Sequence, residues 1–273
     1  EEDHAANDIT SGALPLADVA ARGTFLVKAE GTLAGTESLQ EINRLAWLKA
    51  RGPNPIKVDL LAKDGDRVQA GRVVATLESS ADVLIRLERS MLNLISHLSG
   101  VASLTAKFVD AIRGTKAQIC DTRKTIVGLR VAQKYAVACG GGINHRFALH
   151  DEAMIKENHL ALSGMSIADA IAAIRANSNK RLTCECENLE QVQEALDVGA
   201  DCLLLDNFSN AMLEEALMLR KRCGRDGVPF EASGGVTLET VADIAATGVD
   251  RISIGALTHS APSLDISFKI HPL

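Results

Sequence analysis

The chain has 273 residues, 47% hydrophobic and 23% charged, enough for one large α/β barrel or two modest domains with substantial cores. A net charge of −6 with only 3% aromatic residues argues against a general binder of nucleic-acid backbones and against a base-stacking platform. No apolar stretch approaches the roughly 18–20 residues of a membrane-spanning helix, and the opening "EEDHAANDIT" is polar and acidic, unlike a signal peptide; a cytoplasmic protein is expected.

In chain order, "GTFLVKAEG" (23–31) alternates as a strand does, and "ESLQEINRLAWLKAR" (37–51) has the apolar spacing of an amphipathic helix. "IKVDLLAKDGDRVQAGRVVATLES" (56–79) reads as short strands punctuated by Asp-Gly and Ala-Gly turns. That pattern is similar to lipoyl and biotinyl carrier domains, but "DGDRVQAG" holds no lysine to modify, so a structural sandwich is the better reading. From 83 to 113 the pattern turns helical, with Leu84, Leu87, Met91, Leu94, Ile95 and Leu98 along one face and Arg86 and Arg89 on the solvated one. Gly100 predicts a kink, or a break between two helices.

Short apolar runs then alternate with helical stretches: "AQIC", "AMIK", "RLTCECE", "DCLLLD", "PFEASG" and "RISIG". "ALDVGADCLLLDN" and "IAATGVDRISIGA" repeat one unit of helix end, glycine, aspartate and buried strand, the mark of βα units around a parallel sheet. The expectation is an α/β barrel over 114–259, preceded by an α/β sandwich with linking helices over 1–113 to which residues 260–273 return. The six cysteines form no CxxC pair and sit in or beside apolar runs, as reduced structural thiols do. Cys184 and Cys186 alternate along a strand, poor spacing for zinc.

Chemistry in a parallel barrel collects at the carboxyl ends of its strands. One segment there, "DTRKTIVGLRVAQKYAVACGGGINHR" (121–146), sets Arg123, Lys124, Arg130, Lys134 and Arg146 against Asp121, a local excess of 5 − 1 = +4 in an acidic chain. Arg123, Lys124, His145, Arg146 and Lys156 form a cation set suited to carboxylates or phosphates. Glu185, Glu187 and Asp206 form an acidic set, with Glu185 and Glu187 expected on one face. Such acids can hold Mg²⁺ together with phosphate oxygens, or neutralise neighbouring lysines. The turns "EASGGV" and "SIGAL" offer backbone N–H groups to a phosphate as they open helices. Together the three sets describe a site for a phosphorylated substrate, a metal-bound pyrophosphate and an anionic co-substrate.

With these residues laid out, the chain resembles the quinolinate phosphoribosyltransferase family. The motifs are "ERSMLNLISHLSGVA", "DTRKT", "GLRVAQKYAV", "GGGINHR", "MIKENH", "LLLDN" and "EASGG", in family order, between "NDIT" and "ISIGALTHS". The resemblance implies an N-terminal α/β sandwich and an open, seven-stranded α/β barrel. It also implies Mg²⁺-dependent synthesis of nicotinate mononucleotide, carbon dioxide and pyrophosphate from quinolinate and phosphoribosyl pyrophosphate, on the de novo route to NAD. Homodimers, sometimes hexamers, are implied too, with Arg89 reaching into the neighbouring subunit's site. By motif, Arg123, His145, Arg146 and Lys156 would hold the quinolinate carboxylates, and Lys124 and Lys156 would also touch phosphoribosyl pyrophosphate. Glu185 and Asp206 would approach the ribose and metal, Ser233, Gly234 and Gly255 would clamp the 5′-phosphate, and Thr122 and Ser253 join the binding set. Lys124, Lys156, Glu185 and Asp206 are the implied catalytic residues.

Ile126-Val127-Gly128 stands where the family usually has Thr-Pro-Gly, which removes a fixed φ at the expected start of a helix. Rival readings are a sister transferase taking a monocarboxylate such as nicotinate, a pyrophosphorylase-like paralogue associated with molybdenum transport, and a silent sensor of phosphoribosyl pyrophosphate. The full cation set favours a dicarboxylate, and intact Lys124, Lys156, Glu185 and Asp206 favour turnover.

Overall fold

The computed structural model describes residues 3–42 and 56–273. The chain divides into two compact units, one drawn from 1–106, 135–141 and 261–273, the other from 107–134 and 142–260. Among the described residues no helix is long and apolar enough to cross a membrane.

The first unit is built on an antiparallel sheet. Its strands are β1 (Ala20–Val27), β3 (Lys57–Leu60), β5 (Val73–Ser80) and β12 (Ile266–Pro272), in the order β12-β1-β5-β3; β2 (Gly31–Thr32) pairs separately with β4 (Arg67–Val68). Alternate residues of β1 face inward, and Phe25 lies opposite Phe268 with ring centroids 4.5 Å apart. Phe25, Val27, Leu33, Val74, Leu77, Leu84, Met91 and Ile95 are all buried in one apolar core. The chain's C-terminal strand thus pairs with its first strand, which makes this unit discontinuous in sequence. The helix expected over 37–51 is present from Ser38 to Ile42, and the rest of that expectation lies outside the described residues.

Gly100 breaks nothing. A single helix of 31 residues runs from Ala81 to Ala111, with Leu84, Met91, Ile95 and Leu98 buried as the spacing predicts. A Cβ at Gly100 would lie 2.1 Å from the Pro262 carbonyl oxygen. The glycine admits the chain leading into β12, whose Leu264 N–H donates to Ser96 O nearby (2.9 Å). Close approach, not helix termination, explains it.

The second unit holds a parallel sheet of β6 (Gln118–Cys120), β7 (Ala153–Ile155), β8 (Leu182–Cys186), β9 (Cys202–Asp206), β10 (Phe230–Ser233) and β11 (Arg251–Ser253), in the order β6-β11-β10-β9-β8-β7. Each lies within an apolar run named from the sequence. Among the described residues six strands are laddered, not seven; the remaining position is a single parallel bridge between Ile143 and Cys120. The bridge ends at once because the next amide, His145 N–H, donates to the Asp121 side chain (2.9 Å) instead of to a strand. Among the described residues β7 pairs only with β8, so the barrel is open.

The repeated "GxD" before a strand has a shared physical cause. Asp201 Oδ2 accepts from Leu182 N–H (2.7 Å) and Arg175 (2.6 Å); Asp250 Oδ2 accepts from Phe230 N–H (2.8 Å) and Arg220 (2.6 Å). Each aspartate pins the first amide of the neighbouring strand to an arginine of the helix leading into that strand. Helices Ile167–Asn177, Leu189–Asp197 and Asn210–Arg222 begin on the side chains of Ser166, Asn188 and Ser209, which satisfy amides the helices leave free. The six cysteines are free thiols. Burial pushes Cys202 up to about 11 and Cys120 well above its ordinary value, consistent with packing groups, not nucleophiles.

Candidate active site

The carboxyl ends of the parallel strands surround a cavity of about 550 Å³. β6 runs into Thr122, Arg123 and Lys124; the Ile143 bridge runs into His145 and Arg146; Lys156 follows β7. β8 supplies Glu185, β9 Asp206, β10 Glu231 and Ser233 with Gly234 after it, and β11 Ser253 with Gly255 after it. All of these line the cavity. Arg89 does not: it is exposed on the helix Ala81–Ala111, in the other unit.

Two of the five cations in the basic segment are engaged elsewhere. Lys134 and Asp121, both fully buried, form an ion pair. Lys134 also donates to His145 O (2.8 Å) and lies over the Phe147 ring. Asp121 Oδ1 accepts from His145 N–H, so this pair grips the His145 backbone at both its donor and its acceptor. Burial raises the Asp121 pKa above its ordinary value, against the opposing influence of Lys134. Arg130 donates to Thr125 Oγ1 (3.1 Å) and Phe147 O (3.0 Å).

The loop carrying Arg123 and Lys124 is held by Thr258 Oγ1, which donates to Lys124 O (2.8 Å), and by buried Gln133. Gln133 accepts from Ile126 N–H (2.9 Å) and donates to Thr258 O (2.7 Å). Arg123 Nε is buried without a hydrogen-bond partner among the described residues. Burial, and then the nearby Arg123 charge, lower the Arg146 pKa below its ordinary value, while Glu152 and Asp151 oppose this. Two guanidiniums that repel each other in one cavity are the electrostatic signature of an anion site.

On the acidic side, Lys156 pairs with Glu185. Asp206 accepts from Ser233 Oγ (2.6 Å) at Oδ1 and from Asn207 Nδ2 (2.8 Å) at Oδ2. Asn207 holds a left-handed φ of 57°, and Gly234 has φ 95°; a Cβ on that glycine would lie 2.0 Å from Asn207 Oδ1. Only glycine therefore fits this turn. Glu187 departs from expectation: it falls just past the end of β8, is exposed, and its N–H donates to Gln191 Oε1 (2.7 Å). It therefore does not share the face of Glu185, because the chain has already bent toward the next helix. Nor does the Gly234-Gly235 turn open a helix directly, since helix Val241–Ala246 begins several residues later.

Among the described residues no group of three His, Cys, Asp or Glu side chains could hold a metal ion by itself. Glu185 and Asp206 are hard oxygen donors on one cavity wall, a set that suits Mg²⁺ when substrate oxygens and water complete its shell. The sequence reading overlooked Glu231, buried in β10 and lining the cavity, and His259 at its edge. A glutamate inside the apolar "VPFEAS" was the available signal for the first, and the histidine of "ISIGALTHS" for the second.

The profile described as the C-terminal domain of quinolinate phosphoribosyl transferase matches residues 101–269, and that of its N-terminal domain residues 8–99. A nicotinate-nucleotide pyrophosphorylase [carboxylating] of Mycobacterium leprae is 42% identical over 265 residues, covering 96% of this chain and 91% of the relative. A probable nicotinate-nucleotide pyrophosphorylase [carboxylating] of Bacillus subtilis is 39% identical, covering 98% and 90%. The crystal structure of nicotinate-nucleotide pyrophosphorylase from Ehrlichia chaffeensis superposes with a TM-score of 0.90 at 36% identity, covering 99% of this chain and 95% of that one.

Proposed function

Because the chain belongs to the quinolinate phosphoribosyltransferase family, we propose that the cavity on its parallel sheet is where quinolinate and phosphoribosyl pyrophosphate meet. The activity is that of a carboxylating nicotinate-nucleotide pyrophosphorylase in de novo NAD biosynthesis. One observation carries the assignment of the site: apart from Arg89, every residue expected from the motifs lines this one cavity.

In this reading Arg123 and Arg146 take the two pyridine carboxylates, with His145 and Lys156 beside them. The ring nitrogen attacks the anomeric carbon of the ribose as the bond to pyrophosphate breaks. Lys124 and Lys156 offset the negative charge growing on the leaving group, and the carboxylates of Glu185 and Asp206 face the cationic ribose. Ser233, Gly234 and Gly255 would receive the 5′-phosphate, and Thr122 and Ser253 border the same space. Mg²⁺, held by Glu185 and Asp206 with pyrophosphate oxygens, would supply further charge neutralisation. Once alkylated, the cationic ring nitrogen stabilises the carbanion left on the adjacent ring carbon when its carboxylate departs as carbon dioxide, and that carbon then takes up a proton from water. The residues therefore contribute orientation and electrostatics, without a dedicated base. Arg89, exposed on its helix, fits a contribution to the site of a partner subunit in a homodimer or larger assembly, and the cytoplasm is the compartment that fits.

The test is to follow mononucleotide and carbon dioxide from Mg²⁺, phosphoribosyl pyrophosphate and either quinolinate or nicotinate. Both products are expected from quinolinate alone. Mononucleotide from nicotinate without carbon dioxide would overturn the dicarboxylate reading. Arg123→Ala should lower the rate by about 10²–10³, and a near-parental rate would remove Arg123 from its role.

A further inference from the structure

Glu231 lies in β10, fully buried, in a motif from which the resemblance assigned only Ser233 and Gly234. Its Oε1 accepts from Ser253 Oγ at 2.6 Å and faces His145 Nε2 at 3.5 Å, while Oε2 has no hydrogen-bond partner among the described residues. A carboxylate removed from water needs donors or charge beside it, and the group placed there is the His145 imidazole. The other ring nitrogen, Nδ1, accepts from the Arg146 backbone N–H at 2.7 Å. An accepting nitrogen carries no proton, so the neutral ring bears its hydrogen on Nε2, the atom that faces Glu231. Both nitrogens of His145 are therefore directed at protein groups.

We propose that Glu231 is a positioning residue for the quinolinate-binding arm, acting through His145 on Arg146. Ser253 fixes the carboxylate, the carboxylate fixes the tautomer and orientation of the imidazole, and Nδ1 fixes the amide from which the Arg146 side chain departs. The guanidinium is held at its far end as well, since Nη1 donates to Glu152 O at 2.7 Å. The kinetic arm of the test rests on the cavity being the quinolinate site, whereas the spectroscopic arm does not.

The experiment combines ¹⁵N-histidine NMR of the ligand-free protein, with His145→Asn to assign the signal, and steady-state kinetics of Glu231→Ala and Glu231→Gln. In the parent the His145 ring should be the Nε2–H tautomer. Glu231→Ala should give a tautomer mixture and raise KM for quinolinate about tenfold, as expected for a buried donor left unpaired, with KM for phosphoribosyl pyrophosphate within about threefold. Glu231→Gln keeps a carbonyl oxygen for Nε2–H and should restore KM for quinolinate to within about threefold of the parent. A parent ring in the Nδ1–H form, or a Glu231→Ala protein with unchanged tautomer and quinolinate KM, overturns the proposal. Should Glu231→Ala not fold, loss of the Nε2–H tautomer in Glu231→Gln overturns it equally. A parent inactive on quinolinate would refute the site reading, while the tautomer result still decides this one.

Discussion

Replacing Lys134 by methionine removes a buried ammonium of similar length and leaves Asp121 behind, with both side chains at 0% exposure in the parent. Breaking such a pair by deleting one member costs about 3–5 kcal/mol when the remaining charge stays ionised. The carboxylate can avoid that cost by taking up a proton. Burial already raises Asp121 above its ordinary value of 3.8, and Lys134 is the largest opposing influence, so the variant holds the proton to still higher pH. The unfolded chain releases that proton above 3.8. A carboxyl whose folded pKa is raised stabilises the fold fully below its unfolded value and loses that contribution as pH rises through the folded one. The variant's deficit should therefore grow with pH by up to about 1.4 kcal/mol per unit. At pH 5 that sets a ceiling of about 1.6 kcal/mol, rising at pH 7.5 to the 3–5 kcal/mol limit. Urea denaturation at both pH values, fitted with a common slope, measures the difference. Adding Asp121→Asn removes the charge yet leaves an amide oxygen for His145 N–H, and should recover part of the loss at pH 7.5. Equal deficits at the two pH values, or a double variant no more stable than the single one, would refute an ionic clamp at this position.

Gly100→Ala gains helix propensity of about 1 kcal/mol but drives a Cβ to 2.1 Å from Pro262 O, so a net loss of about 1–3 kcal/mol should appear as a lower Tm. An unchanged Tm would mean the close approach is not maintained. Gly234→Ala meets both a φ of 95° and Asn207 Oδ1 at 2.0 Å; displacing Asn207 disturbs Asp206, and kcat/KM should fall at least about tenfold, read by the mononucleotide assay. Val127→Pro should raise stability by about 0.4–1 kcal/mol, measured by thermal unfolding. Val127 is 98% exposed and follows Ile126 in a turn closed by Leu129 N–H on Ile126 O (3.0 Å), with Gly128 at φ 84°. That is the type II geometry in which proline suits the second position, so the departure from Thr-Pro-Gly falls in a turn and not, as the sequence suggested, at a helix start; helix Arg130–Cys139 begins later.

The parallel strands were legible because each is an apolar run between punctuating residues, and the "GxD" repeat marked two of them as copies. Their carboxyl ends followed, and with them the cavity residues, since in a parallel sheet chemistry is displaced to that one edge. Gly100 was misread because glycine ends helices and admits close neighbours with equal ease. Only Pro262, remote in sequence, distinguishes the two cases. The seventh strand was overcounted for a related reason. A side chain, Asp121, takes the amide that would have continued the ladder, and no local pattern announces that exchange.

The basic segment is a more instructive case. Its formal excess of +4 counts five cations, and the two that stood outside the anion-binding set are used within the protein, Lys134 on Asp121 and Arg130 on the Thr125–Phe147 loop. What the segment presents to the cavity is Arg123, Lys124, His145 and Arg146, and the two internal cations instead hold the backbone from which these project. Charge counted along a sequence therefore mixes groups that bind an anion with groups that build the loop. Burial separates them: a lysine at 0% exposure beside a buried aspartate cannot reach a ligand. Glu231 is the converse case. In sequence it is a lone glutamate inside an apolar run, yet its Oε1, 3.5 Å from His145 Nε2, gives it the means to orient that ring and through it Arg146, at the cost of keeping one carboxylate oxygen without a hydrogen-bond partner among the described residues.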